Sequence, residues 1–316
     1  MKKLIACLLA VLTVVCCFCG CGGVSEKTPE IVVTIFPLYD FARQILGDNP
    51  ADLDIELLQK NGTDLHNYQP TAEDTALIGT AKLFVYIGGE SDEWTEDVLA
   101  TSGGDGRRIC LMDTVQGLEE ETVEGMQEAE EEEEEEEEGA FDEHIWLSLR
   151  NAQKMIDALC EQIIAVDPDH AELYRTNAAA YIASLDALDA AYRAAIDSAA
   201  FDTVLVADRF PFRYLAADYG LKYYAAFSGC AASLDVSFET VAFLSEKLKE
   251  LALPAVLVID GSDGEIARTV IETAGSDVPV LTLHSCQCVS AKELESGVSY
   301  LDIMTSNLEV LKEALN

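Results

Sequence analysis

Two histidines sit in two short motifs, and imidazole is the side chain that most often holds a transition metal. His66 lies in Gly62-Thr63-Asp64-Leu65-His66-Asn67-Tyr68-Gln69-Pro70, and His144 in Asp142-Glu143-His144-Ile145-Trp146-Leu147. The chain carries four His in 316 residues, so two inside such motifs stand above background. A third group, His284, Cys286 and Cys288, alternates after an apolar run, which would put all three side chains on one face of an extended segment. His with two Cys is zinc-like chemistry, yet ligands this closely spaced do not wrap a tetrahedron from one strand. The alternative is a buried strand end with small, soft residues. His170 stands beside Asp167 and Asp169 and is expected to be solvated and structural.

The elements that must position these residues alternate between strand and helix. Residues 31–35, 82–87, 203–207 and 255–260 are short continuous runs of Val, Ile and Leu, the pattern of buried parallel strands. Weaker strand candidates are 54–58, 107–112, 222–227 and 279–283. In 237–251, Phe238, Val241, Leu244, Leu248 and Leu251 share one helical face. Such alternation implies α/β layers on parallel sheets, which bind ligands at the carboxyl ends of their strands. Residues 167–200 form one long helical pattern, with Asp167 as cap, Pro168 at the first position, and Leu185, Leu188, Tyr192 and Ile196 as its apolar stripe. At about 1.5 Å per residue, some thirty residues of it span about 45 Å. Periodicity leaves open whether it is a surface helix, a coiled-coil segment or a connector. Residues 119–138, nearly all Glu in the second half, should repel one another and form a disordered acidic loop.

Composition narrows the function. A net charge of −38 argues against nucleic acid as a partner, because phosphates need a basic surface. Lys2 and Lys3 precede an apolar run over 4–18, the form of a secretory signal. Phe18-Cys19-Gly20-Cys21-Gly22-Gly23 resembles a bacterial lipoprotein cleavage site, with 1–20 as signal peptide, Cys21 as the acylated residue and 21–27 as an anchored linker. An uncleaved anchor or a plain signal peptide is the alternative. The roughly 295 residues left make two domains of ordinary size. Five Cys remain beyond the anchor, Cys110, Cys160, Cys230, Cys286 and Cys288, too odd and scattered a set for a disulfide framework.

The two histidine motifs, with Phe36-Pro37-Leu38-Tyr39-Asp40-Phe41, Gly89-Glu90-Ser91-Asp92-Glu93-Trp94 and Asn177-Ala178-Ala179-Ala180-Tyr181, resemble the lipoproteins that feed zinc or manganese to ABC importers. In that family the motifs usually read Gly-Thr-Glu-Pro-His-Asp-Tyr-Glu-Pro and Asp-Pro-His-Val-Trp-Leu. The resemblance implies two α/β lobes, 28–166 and 201–316, joined by one long rigid helix over 167–200, with metal in the cleft. It implies a monomeric metal receptor, lipid-anchored on the outer face of the cytoplasmic membrane, serving an ABC permease and its ATPase subunit. It also implies a ligand set. His66 and His144 are the first two. The third column, usually His or Glu, holds Arg209, which has no lone pair to offer. Asp208 is expected to substitute, with Arg209 turned toward another carboxylate or the permease; the alternative is an Asp208–Arg209 pair that fixes the loop and leaves water in the place. Asp260 is expected as the fourth ligand and Asp263 as a helix cap. Tyr68 and Trp146 should pack beside the site. Zinc is favoured over manganese, and the acidic loop is at best a weak collector of cations. The competing class is a surface-anchored metal-dependent hydrolase with Asp208 or Glu143 as base; an added adhesin role is a third.

Overall fold

Continuous apolar runs become inner strands, and mixed runs become edges. The computed structural model describes residues 28–60, 62–127, 141–231 and 235–316. The signal segment, Cys21 and the Glu-rich stretch 128–138 lie outside the described residues. The first sheet has the order β2-β1-β3-β4, with β1 Ile31–Val33, β2 Ile55–Leu57, β3 Leu83–Tyr86 and β4 Arg107–Cys110. The second repeats it as β6-β5-β7-β8, with β5 Thr203–Phe210, β6 Lys222–Ser228, β7 Val256–Ile259 and β8 Val280–Leu283. Every pairing is parallel. The inner strands β1, β5 and β7 are buried at every position, while the edge β4 is exposed or half-buried throughout. Inner parallel strands are covered on both faces, so their sequences need no polar alternation.

Helices carry the chain from strand to strand. In the first lobe they are α1 Phe36–Leu46, α2 Ala72–Thr80 and α3 Trp94–Ser102. Helices α4 Leu149–Val166 and α5 Ala171–Asp197 lead to the second sheet. There α6 Arg213–Tyr219, α7 Phe238–Leu251 and α8 Glu265–Ala274 alternate with strands, and α9 Ala291–Ser296 and α10 Tyr300–Ala314 follow. Ser237 caps α7 by accepting from Thr240 N. Phe238, counted in its apolar face, is 79% exposed because it precedes the packed turns.

Two expectations are corrected. The long helix is preceded by a 3₁₀ turn, Pro168–His170, with Asp167 at its N-cap and Pro168 in first place as expected, but the Asp167 side chain makes no cap hydrogen bond there. Its carboxylate instead accepts from Tyr174 Oη and pairs with His170 Nδ1, both at 2.6 Å, so His170 is tied down and not simply solvated. The acidic segment is docked over its first part. Gln127 N donates to Ala226 O of β6 at 2.8 Å, Met126 is buried, and Glu121 meets Arg213 at 3.1 Å. Val123, Met126 and the facing Arg213 give 119–127 partners that a pure Glu run lacks.

Candidate metal centre

The same three-residue device builds both histidine turns. Asp64 Oδ1 accepts from His66 N at 3.0 Å, and Asp142 Oδ1 accepts from His144 N at 2.8 Å. Each Asp, two residues before its His, closes a short turn on its own backbone. His66 then sits in the 3₁₀ turn Leu65–Asn67, and His144 precedes the 3₁₀ turn Ile145–Leu147.

The rings are oriented through Nδ1. His144 Nδ1 lies 3.0 Å from Asp142 Oδ1, and His66 Nδ1 lies 3.1 Å from Glu143 Oε1 and 2.8 Å from Ser91 Oγ. An ionised carboxylate only accepts, so each Nδ1 donates to its carboxylate, and each Nε2 is turned toward the other ring. The two Nε2 atoms face each other 3.3 Å apart. His144 is fully buried and the His66 side chain is 7% exposed. At that separation the two nitrogens can share one proton in a hydrogen bond or hold one cation between them.

Charge around the pair is arranged accordingly. Burial alone would raise the Glu143 carboxyl, but the facing His66 and His144 and the Ser91 hydroxyl hold it below the usual carboxylate range. Burial would lower His144, but the Asp142 charge and hydrogen bond, with Glu143, push it above the ordinary histidine value. Gly89, at φ +86°, makes room: a Cβ there would lie 2.7 Å from Glu143 Oε2.

The other expected ligands go elsewhere. Asp208 is buried and accepts from Arg209 N, with Ser262 bonding its side chain. It is thus spent within the second lobe, and the geometry does not bring it to the histidines. The β-bulge between Val206 and Arg209 re-aims this strand end, which counting along the sequence does not reveal. Arg209 does meet another carboxylate, as expected: its guanidinium pairs with Asp64, the residue that closes the His66 turn. Asp260 is also otherwise engaged. It accepts from Ser285 N and Cys288 N and stands 3.4 Å from His284 Nδ1, organising the 284–288 loop. Gly264 is the N-cap of α8, and Asp263, one residue before it, accepts from Glu265 N at 2.8 Å. Cys286 turns away at φ +66° into the core against Met304, so His284, Cys286 and Cys288 do not converge. Trp146 packs beside His144, and its Nε1 donates to Ser285 O across to the second lobe.

Near the pair, Ser91 and Cys230 went unread in the sequence, and Glu143 was read only as the base of the hydrolase alternative. Among the described residues, His66, Glu143 and Cys230 form the one group whose ligand atoms all lie within 4.8 Å of one another. Glu143 stands where the family pattern has Pro, a departure that could have flagged it. Ser91 had no signal beyond its motif. Cys230 had none beyond following a strand; burial and the carboxylates of Glu120 and Glu143 push its thiol up.

A family model described as zinc-uptake complex component A, periplasmic, matches residues 31–314. The chain is 32% identical to the high-affinity zinc uptake system protein ZnuA of Bacillus subtilis, over 94% of this chain and 93% of that one. It is 31% identical to the zinc-binding lipoprotein AdcA of Streptococcus pneumoniae, over 99% of this chain but only 61% of that relative's length. Among solved structures, the Zn(II)-bound ZnuA-like domain of Streptococcus pneumoniae AdcA superposes with a TM-score of 0.73 at 29% identity, covering 92% of this chain and 99% of that domain. The metal-dependent lipoprotein YcdH of Bacillus subtilis gives 0.74 at 28% identity, covering 91% and 99%.

Proposed function

The chain belongs to the zinc-uptake complex component A family, and on that premise we propose that it is an extracytoplasmic receptor that captures zinc for an ABC permease and its ATPase. His66 and His144 hold the ion through Nε2. One observation carries this reading: the two Nε2 atoms lie 3.3 Å apart. Zinc bonds nitrogen at about 2.0–2.1 Å in tetrahedral geometry, and the edge of that tetrahedron is about 3.3–3.4 Å. The carboxylates behind each Nδ1 are the outer partners that metal-binding histidines use to fix their rings.

On this reading 1–20 is removed, Cys21 carries lipid, and the lobes 28–166 and 201–316 meet around the ion with 167–200 between them. The hydrolase alternative gains nothing from the comparisons, which match a family of metal uptake and not an enzyme class.

The test is equilibrium competition against a chelator, with the full chain in detergent. His66→Ala and His144→Ala should each lower zinc affinity by more than about a hundredfold, beyond the cost of losing an outer contact. Unchanged affinity in both variants would overturn the reading.

A further inference from the structure

A cleft receptor needs a donor from each lobe, and both histidines come from the first. The second lobe's expected donor column is filled by Arg209, which is paired with Asp64. Cys230 is the second-lobe residue that groups with His66 and Glu143, their ligand atoms all within 4.8 Å of one another. It follows β6, at the carboxyl end of a parallel strand, where such sheets present their ligands. Its Sγ lies 4.0 Å from Glu143 Oε1, and its N–H donates to Glu120 Oε1 at 3.1 Å. Gly229 permits the approach: a Cβ there would stand 3.2 Å from both His144 Cε1 and Asp142 Oδ2.

We propose that Cys230 binds the cargo zinc as a thiolate, supplying the second lobe's ligand in the centre built by His66 and His144. This inference rests on the zinc-receptor reading above. Sulfur bonds zinc at about 2.3 Å, so the edges from sulfur to nitrogen or oxygen in a tetrahedron are about 3.5 Å. The ligand atoms of His66, Glu143 and Cys230 lie within 4.8 Å of one another, with Sγ 4.0 Å from Glu143 Oε1, a little wider than that. The step balances simply: zinc takes the sulfur lone pair, the S–H bond breaks, and the proton leaves to solvent. Nothing is oxidised. A thiolate also sets selectivity, because soft sulfur favours zinc over hard manganese.

The experiment loads the full chain, in detergent, with Co²⁺, Zn²⁺ or Mn²⁺. Wild type should show a thiolate-to-cobalt charge-transfer band, and X-ray absorption of its zinc form should show one sulfur at about 2.3 Å. Cys230→Ser should lose the band and bind zinc at least about tenfold more weakly, with manganese affinity little changed. The zinc-form spectrum uses no substitution, so it reads the ligand even where the variant misfolds. A band retained in Cys230→Ser, or a wild-type zinc spectrum with no sulfur, would overturn the Cys230 assignment. If His66→Ala still lost zinc in that case, the receptor reading would stand. A wild type that binds no metal would remove both.

Discussion

Asp142 does two things for His144. It closes the turn through His144 N, and it holds Nδ1, which fixes where Nε2 points. The same contact raises the affinity of Nε2 for a proton, and proton and zinc compete for that lone pair. His144 is held above its ordinary value, near 6.5, so zinc affinity should start to fall above that pH as the solution is acidified. The folding linkage runs the other way. A group raised on folding contributes stability that is fully present below its unfolded value and lost as pH rises through the folded one. Acid therefore loosens zinc while stabilising the empty protein through this residue. Asp142→Asn keeps the shape and removes the charge. It should lower zinc affinity about ten- to hundredfold at neutral pH and move the onset of acid release downward. Chelator competition between about pH 5.5 and 8 reads both. An affinity flat over that range would show that His144 is not a ligand.

At the scale of elements, the loop after β3 delivers Ser91 and Gly89 to the centre, and Asp92 anchors it. Asp92 Oδ2 accepts from Ile87 N and Gly88 N, while Oδ1 has no hydrogen-bond partner. Burial is the main cause that pushes this carboxyl up to about 7, with the Glu143 charge adding to it. A carboxyl raised on folding makes the fold lose stability as pH climbs from the unfolded value toward the folded one. Each unit is about 1.4 kcal/mol, so roughly 4 kcal/mol is at stake between about pH 4 and 7. Asn keeps one acceptor for both N–H groups and does not ionise. Wild type should therefore lose stability relative to Asp92→Asn as pH rises through that window, by urea denaturation. A constant difference between the two would refute it. The elements themselves were legible. The four clear apolar runs are the inner strands and the four weaker ones the edges, because burial on both faces writes itself into sequence. The histidines were legible through their motifs. The donors around them were not: Cys230 arrives from the far sheet, and the bulge in β5 moves Asp208 away. Long-range approach leaves no local pattern.

Each sheet has its own small core on one face, and both turn their other face to a shared centre. One continuous cluster of buried side chains includes Val33 and Val85 of the first sheet, Val206 and Leu257 of the second, and Tyr174, Tyr181 and Tyr192 of α5. Asp40 stands at the crossing. It is fully buried on α1, and Oδ2 accepts from Tyr181 Oη of α5 and from Tyr300 N at the start of α10, each at 2.9 Å. Oδ1 accepts from Gln44 Nε2 at 3.1 Å. Helix α10 thus begins on the first lobe, and Tyr300 Oη reaches Trp146 O beside the histidine turn. A shared core and a shared carboxylate couple the lobes, so the protein should unfold in one transition and not two. Asp40→Ala strips the acceptor from two buried donors on two helices. Each orphaned buried group costs about 1–3 kcal/mol, so the loss should be about 2–6 kcal/mol in all. Asp40→Asn keeps one oxygen for Tyr181 and Tyr300, and Gln44 can turn its amide to suit, so it should cost about 1–2 kcal/mol. Urea unfolding followed by tryptophan fluorescence and by far-UV dichroism separates the possibilities. Both variants should shift a single midpoint with an unchanged slope, since the surface exposed on unfolding stays the same. If Asp40→Ala instead split the curve into two transitions, the lobes would be independent units held together chiefly by this carboxylate. Zinc would then be gripped by a hinge and not by one folded body.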